Sequence, residues 1–185
     1  MPASEQEQYA ALRATIRERG TARVYAFIAG LVAWAALTLG AMAMAAPPIA
    51  TLVPLLILGA TFEAVFALHA GVERVGRYLE VFFDDEWERA LTAFGRPQHA
   101  VRSDALFVVV FALAGVWNLM PALVAQPTSE ELVFIGGAHA LFGVRLVYAR
   151  FTASKQREVD RARFRELHES SRRHEDHESQ MSRSS

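Results

Sequence analysis

The chain has 185 residues, 52% of them hydrophobic, with a formal net charge of -1 and no cysteine. That charge balance gives no whole-chain attraction to nucleic acid. The missing cysteines exclude disulfides, thiolate metal sites, iron–sulfur clusters and covalently attached c-type haem. Mean hydropathy is only +0.17, because long apolar runs and Arg/Glu-rich segments cancel in the average; read by window, they separate sharply.

The N-terminal arm, residues 1–23, opens on Ser4-Glu5-Gln6-Glu7, a capping-box pattern, followed by Tyr9, Leu12 and Ile16 on one face. An amphipathic helix is predicted here, ending at Gly20. The first apolar run is Val24–Ala46. Ala41-Met42-Ala43 and Ala43-Met44-Ala45 resemble signal-peptidase sites. The run exceeds the usual roughly 7–15-residue apolar core of a signal peptide, and a long polar arm precedes it. Retention as a first membrane span is expected.

Three more runs follow: Ile49–Ala70, Ala105–Ala125 and Leu132–Tyr148. Each is close to the ~20 residues that a helix needs to cross a ~30 Å hydrocarbon core. None shows the alternation of a barrel strand, so all four are predicted helices. The fold class is therefore all-α: a polytopic membrane protein with four transmembrane helices, two antiparallel hairpins packed as a bundle with cytoplasmic helical extensions. Basic residues set its orientation. Arg13, Arg17, Arg19 and Arg23 precede the first span, and Arg74, Arg77, Arg89, Arg96 and Arg102 lie in the middle loop, residues 71–104. Arg150, Lys155 and further arginines follow the fourth span, while the turns at 46–51 and 126–131 have no basic residue. Both termini are expected in the cytoplasm. The heavy use of Ala, and of Arg over Lys, points to a GC-rich bacterial genome and so to a bacterial inner membrane.

The two halves share Gly30 and Trp34 with Gly115 and Trp117, and Leu58-Gly59 with Ile135-Gly136, a faint parallel repeat. Beyond the second span, Val72, Val75, Leu79 and Phe82 keep a helical stripe, the expected docking surface unless the chain's own arms cover it. Asp85 and Glu88 suggest a second capping box, opening a short helix with Trp87, Leu91 and Phe94, closed by Gly95 and Pro97. The charged tail, residues 151–185, loses its apolar residues and is predicted disordered beyond about Ser170.

Glu63 and Arg145 carry the sharpest signal. Both lie inside apolar runs, roughly 10 Å from the same end, at a cost of order 2.5–3.5 kcal/mol each on insertion scales. Two readings apply: an ion pair acting as structural glue, or a proton, ion or ligand site. His139, Asn118 and Thr38 form a second layer near the opposite ends, suited to hydrogen bonding between helices, with Gly136, Gly137 and Ala138 expected to permit close approach. His69 and Glu73, four residues apart, resemble half a metal site. Asp84, Asp85, His168, His174 and His177 are the available further ligands. A bis-histidine haem is excluded because His69 and His139 differ in depth by roughly 20 Å, so no cofactor is expected.

No phosphate-binding glycine loop, nucleophile elbow or zinc helix is present. The sequence thus predicts a small inner-membrane protein with an assembly or protein-interaction role, its partners being the bilayer and either a second copy or another membrane protein. The alternative is ion, proton or small-molecule transport through an oligomeric bundle using Glu63, Arg145 and His139.

Overall fold

The computed structural model describes residues 3–83, 90 and 100–183, with side chains for 3–83, 90 and 108–173. Four long helices account for nearly all of them: α1 Ala3–Ala43, α2 Leu52–Phe82, α3 Ala100–Val124 and α4 Ser129–Arg183, with a 3₁₀ turn at Pro48–Thr51 between the first two. Among the described residues, α1, α2 and α4 are each long and apolar enough to cross a membrane; the described apolar part of α3, Val108–Val124, is shorter. The expected helix around Asp85–Phe94 lies outside the described residues, as do Asp84 and the side chains of His174 and His177.

Two boundaries differ from expectation. Gly20 does not end α1, which runs straight through it. An isolated glycine costs a helix about 1 kcal/mol relative to alanine, and strong helical sequence on both sides outweighs that. The C-terminal tail is helical to Arg183 rather than disordered past Ser170. No glycine or proline follows Gly143, and Glu169 and Arg173 stand at the i,i+4 spacing at which opposite charges support an exposed helix.

The chain reverses by two local devices. After α1, Ala45 takes a left-handed conformation at φ 48°. The Ala46 amide donates to the Ala41 carbonyl at 2.9 Å and the Ala45 amide to Met42 at 3.1 Å. This is the Schellman arrangement, and Pro47 prevents the helix from resuming. After α3, Gln126 is likewise left-handed at φ 53°, but Pro127 has no N–H, so only the Gln126 amide bond to Leu123 forms, at 3.4 Å. Thr128 then starts α4. Its hydroxyl accepts from the Glu131 amide at 3.3 Å, while the Glu131 carboxylate accepts from the Thr128 amide at 3.0 Å. That reciprocal capping box is easily missed in sequence, where Glu130 and Glu131 stand out only as acidic.

α2 is the central element: it packs along α1 and against α4, and α3 packs mainly on α4. Gly30 and Gly115 bring core side chains of neighbouring helices close, while at Gly71 only the flexible end of Arg19 comes near. A Cβ at Gly30 would overlap the Thr61 side chain, and one at Gly115 would press on the Phe142 ring at 3.0 Å. Gly136 and Gly137 do not serve this purpose, since both have open space where a side chain would go. The core between them is apolar and aromatic, built on Leu58, Phe62, Phe111, Ala114, Leu146 and Ala149. Phe111 sits edge-on to Phe62 at 5.3 Å and to Phe27 at 5.8 Å, a preferred geometry for aromatic pairs. Outward-facing Val32, Leu56, Leu113, Phe134 and Leu141 remain largely exposed, as lipid-facing residues must.

Candidate functional site

Polar side chains gather in three layers along the helices. Nearest the proline turns, Asn118 on α3 is fully buried. Its amide oxygen accepts the Trp34 indole N–H at 3.1 Å, and its amide nitrogen reaches the Thr51 carbonyl at 2.9 Å and His139 Nε2 at 3.2 Å. His139 Nδ1 lies 2.8 Å from the Ile135 carbonyl. A carbonyl only accepts, so Nδ1 carries the proton and Nε2 is free to accept from Asn118. Thr38, expected in this layer, instead donates to the Trp34 carbonyl of its own helix at 2.8 Å. Trp34 is the residue that links α1 to Asn118. Indole N–H groups are donors that need partners when buried, a signal available in the sequence.

In the middle layer Glu63 and Arg145 meet. Arg145 Nε and Nη2 each lie 2.7 Å from a different Glu63 oxygen, a bidentate pair. Parallel N–H···O bonds of this kind are among the strongest a protein makes. The guanidinium also lies over Phe66 and Phe62, 5.6 and 5.8 Å from the ring centres, which adds cation–π attraction. The pair is not enclosed: the Arg145 and Glu63 side chains remain 38% and 49% exposed on the outer surface. Two largely apolar cavities, of about 200 and 300 Å³, lie nearby, the smaller separated from the Arg145 guanidinium by the Phe62 and Phe66 rings and also lined by His69 and Arg157. The smaller is bounded by Phe62, Val65, Val108, Phe111 and Phe151, the larger by Thr38, Trp117 and the Pro47-Pro48 turn. Neither includes Glu63 or Arg145 in its wall.

The third layer begins at the last residues of the second apolar run and extends beyond it, where α1, α2 and α4 continue as charged helices. His69 and Glu73 face each other at 3.6 Å, yet both are engaged otherwise. Arg23 Nη1 donates to His69 Nδ1 at 2.8 Å. Glu73 accepts both Arg157 Nη2 at 2.9 Å and Arg157 Nε at 3.0 Å, with Arg77 at 3.4 Å. Among the described residues no group of three or more His, Cys, Asp or Glu comes together. Guanidinium groups on either side of the pair oppose a cation there.

Sequence reasoning overlooked Arg77 and Asp160. Arg77 is 8% exposed and its Nη2 donates to Asp160 Oδ2 at 2.9 Å. Gln156 adds a bond to Oδ1 at 3.0 Å and Arg74 one to Oδ2 at 3.4 Å. Burial by itself would raise the Asp160 pKa. The hydrogen bonds from Gln156, Arg77 and Arg74, with the Arg77 charge, outweigh burial and hold the carboxyl below its ordinary value of 3.8. Next to this ladder Arg161 pairs with Glu80 at 3.4 Å. The stripe Val72, Val75, Leu79 and Phe82 is therefore not an open docking surface. Leu79 is wholly buried, and Phe82 stacks on Tyr78 at 4.4 Å, under the ring edges of Phe164 and His168. An apolar stripe of that length needs cover, and the long α4 supplies it.

No protein-family model, curated protein or solved structure matches this chain.

Proposed function

We propose that the chain is a small multi-pass protein of the bacterial cytoplasmic membrane that works through assembly with other membrane proteins rather than through transport or catalysis. In this reading the four apolar stretches form four spans in two hairpins. Both termini lie in the cytoplasm, and the charged ends of α1, α2 and α4 form a cytoplasmic stalk. The placement of Arg and Lys supports that orientation.

One observation carries the assembly reading: the polar groups along the helices are consumed in holding helices together. Asn118 spends both amide hydrogens and its oxygen on three different elements. The carboxylates of Glu73 and Asp160 are taken by arginines. Glu63 and Arg145 bind each other across α2 and α4, and neither lines the two apolar cavities. A transport site needs a charged group reachable from water in the interior, whereas this ion pair opens sideways, toward the surface a neighbouring protein would cover.

Topology is tested first. The chain has no native cysteine, so single cysteines at Ala50 and Thr128 should react with an impermeant maleimide in intact cells, and one at Ser170 should not. Function is tested in proteoliposomes. Wild type and Glu63→Gln should show the same background proton and ion flux, with Glu63→Gln lowering stability. Flux that depends on Glu63 in a stably folded protein would replace this reading with transport.

A further inference from the structure

Exposed apolar residues on a membrane helix need no explanation beyond lipid; an exposed ion pair does. Glu63 and Arg145 lie in the groove between α2 and α4, open to the outside along about half their surface. The bidentate contact leaves each group unsaturated. A carboxylate offers about four lone-pair sites and a guanidinium five N–H donors, and the pair uses two of each. Lipid tails can supply neither the missing donors nor the missing acceptors.

The walls of the groove differ in size. On the α2 side the exposed positions beside Glu63 are Ala60, Ala64 and Ala67, all small. On the α4 side they are Leu141, Val144, Val147 and Tyr148, 72%, 65%, 54% and 62% exposed, of which Leu141 and Tyr148 lie nearest the Arg145 face of the helix. Both helices run from a proline turn toward the charged end, so matching Glu63 to Arg145 brings Leu141 to the level of Ala60 and Tyr148 to that of Ala67. One wall is acidic with a shallow apolar shelf; the other is basic with projecting side chains.

Resting on the assembly reading, we propose that the partner at this face is a second copy of the same chain, related by a two-fold axis running along the α2–α4 groove. That operation sets α2 against the partner's α4. Each Glu63 carboxylate gains the other copy's guanidinium, and the leucine and tyrosine of one copy settle over the alanines of the other. A two-fold interface must be complementary to itself. This face is so in both charge and shape, with opposite charges and opposite sizes on the two sides of one axis. Small residues on α2 allow the close approach that drives helix association in lipid.

Two forms of the full-length chain, one carrying a size tag, are expressed together in membranes. With Ala60→Cys on one and Leu141→Cys on the other, oxidation should give the mixed dimer. Val116→Cys on the exposed face of α3 should give none with Leu141→Cys. In that cross-linking background, Glu63→Gln in both chains, or Arg145→Gln in both, should cut mixed-dimer yield roughly tenfold, as expected for a lost charge-assisted contact. Glu63→Gln in one chain with Arg145→Gln in the other retains one contact between copies and should recover most of the yield. Absence of the Ala60–Leu141 product from the unsubstituted pair at every protein-to-lipid ratio overturns the proposal. Equal yield from Val116→Cys does so too. A photo-reactive side chain at Ala64 that captures a different membrane protein would also overturn the second copy, while leaving the assembly reading standing.

Discussion

Trp34 on α1 and Asn118 on α3 are joined by a 3.1 Å hydrogen bond between residues 84 apart in sequence. No pair of consecutive helices makes that link, and through Asn118 it extends to the Pro48–Thr51 turn and to His139 on α4. Asn118→Ala strands the indole N–H, the Thr51 carbonyl and the imidazole together in a buried layer. An unsatisfied buried group costs about 1–3 kcal/mol, so a loss of roughly 2–4 kcal/mol is expected from unfolding in detergent. Trp34→Phe removes only one donor and should cost about 1 kcal/mol. Equal losses from the two would mean that Asn118 is not the hub.

Three substitutions separate the backbone roles of small residues. Gly30→Ala drives a methyl group into Thr61 and should cost about 1–3 kcal/mol by overpacking. Gly20→Ala meets nothing within 4 Å in a continuous helix and should gain about 0.5–1 kcal/mol. Ala45→Gly relieves a left-handed alanine and should also be stabilising. Melting temperatures of the three variants check the order, and a neutral Gly30→Ala would mean α1 and α2 do not cross there.

The sequence made the apolar segments legible because insertion into a membrane depends on segment composition, and it made Glu63 and Arg145 legible because a charge in such a segment has few stable options. Continuity of the helices was not legible. Gly20 resembles a stop, and whether a glycine ends a helix depends on what its neighbours pack against. The role of α4 was hidden for the same reason. Asp160 and Arg161 read as solvated charges until Arg77 and Glu80 on α2 lie opposite them. Gly136 and Gly137 misled in the other direction, since small size permits a close approach but does not require one. The close contacts between helices fell instead at Gly30 and Gly115, one matched pair of the faint internal repeat, while the other pair, Gly59 and Gly136, makes none.

Asp160 gives the charged ends an acid limit. Its folded pKa lies below the value of 3.8 for a free carboxyl. The ionised form therefore favours the folded state, and that contribution is complete above about pH 4. It is lost as pH falls through the lowered folded value. Asp160→Asn should reduce stability at neutral pH, because buried Arg77 then keeps only the longer 3.4 Å contact to Glu73, and should flatten the loss below about pH 4. Stability measured from pH 7 to pH 2 checks both. An unchanged acid limb in Asp160→Asn would move that limit to another carboxylate.

Glu63 and Arg145 should be coupled well beyond an ordinary surface ion pair. Exposed pairs in water contribute about 0–1 kcal/mol, because solvent screens them and competes for both partners. In a membrane the open side meets lipid or a second copy rather than bulk water, so loss of Glu63 or of Arg145 from every copy leaves the other charge with no good alternative. Glu63→Gln and Arg145→Gln should each destabilise the protein, the former by stranding a guanidinium over Phe62 and Phe66. Replacing both by apolar residues should recover part of either loss, since breaking a poorly solvated pair is worse than removing it. A double-mutant cycle on bilayer or detergent stability should return a coupling of about 1–3 kcal/mol. A coupling near zero would mean that water reaches both groups, and the case for transport through Glu63 would reopen.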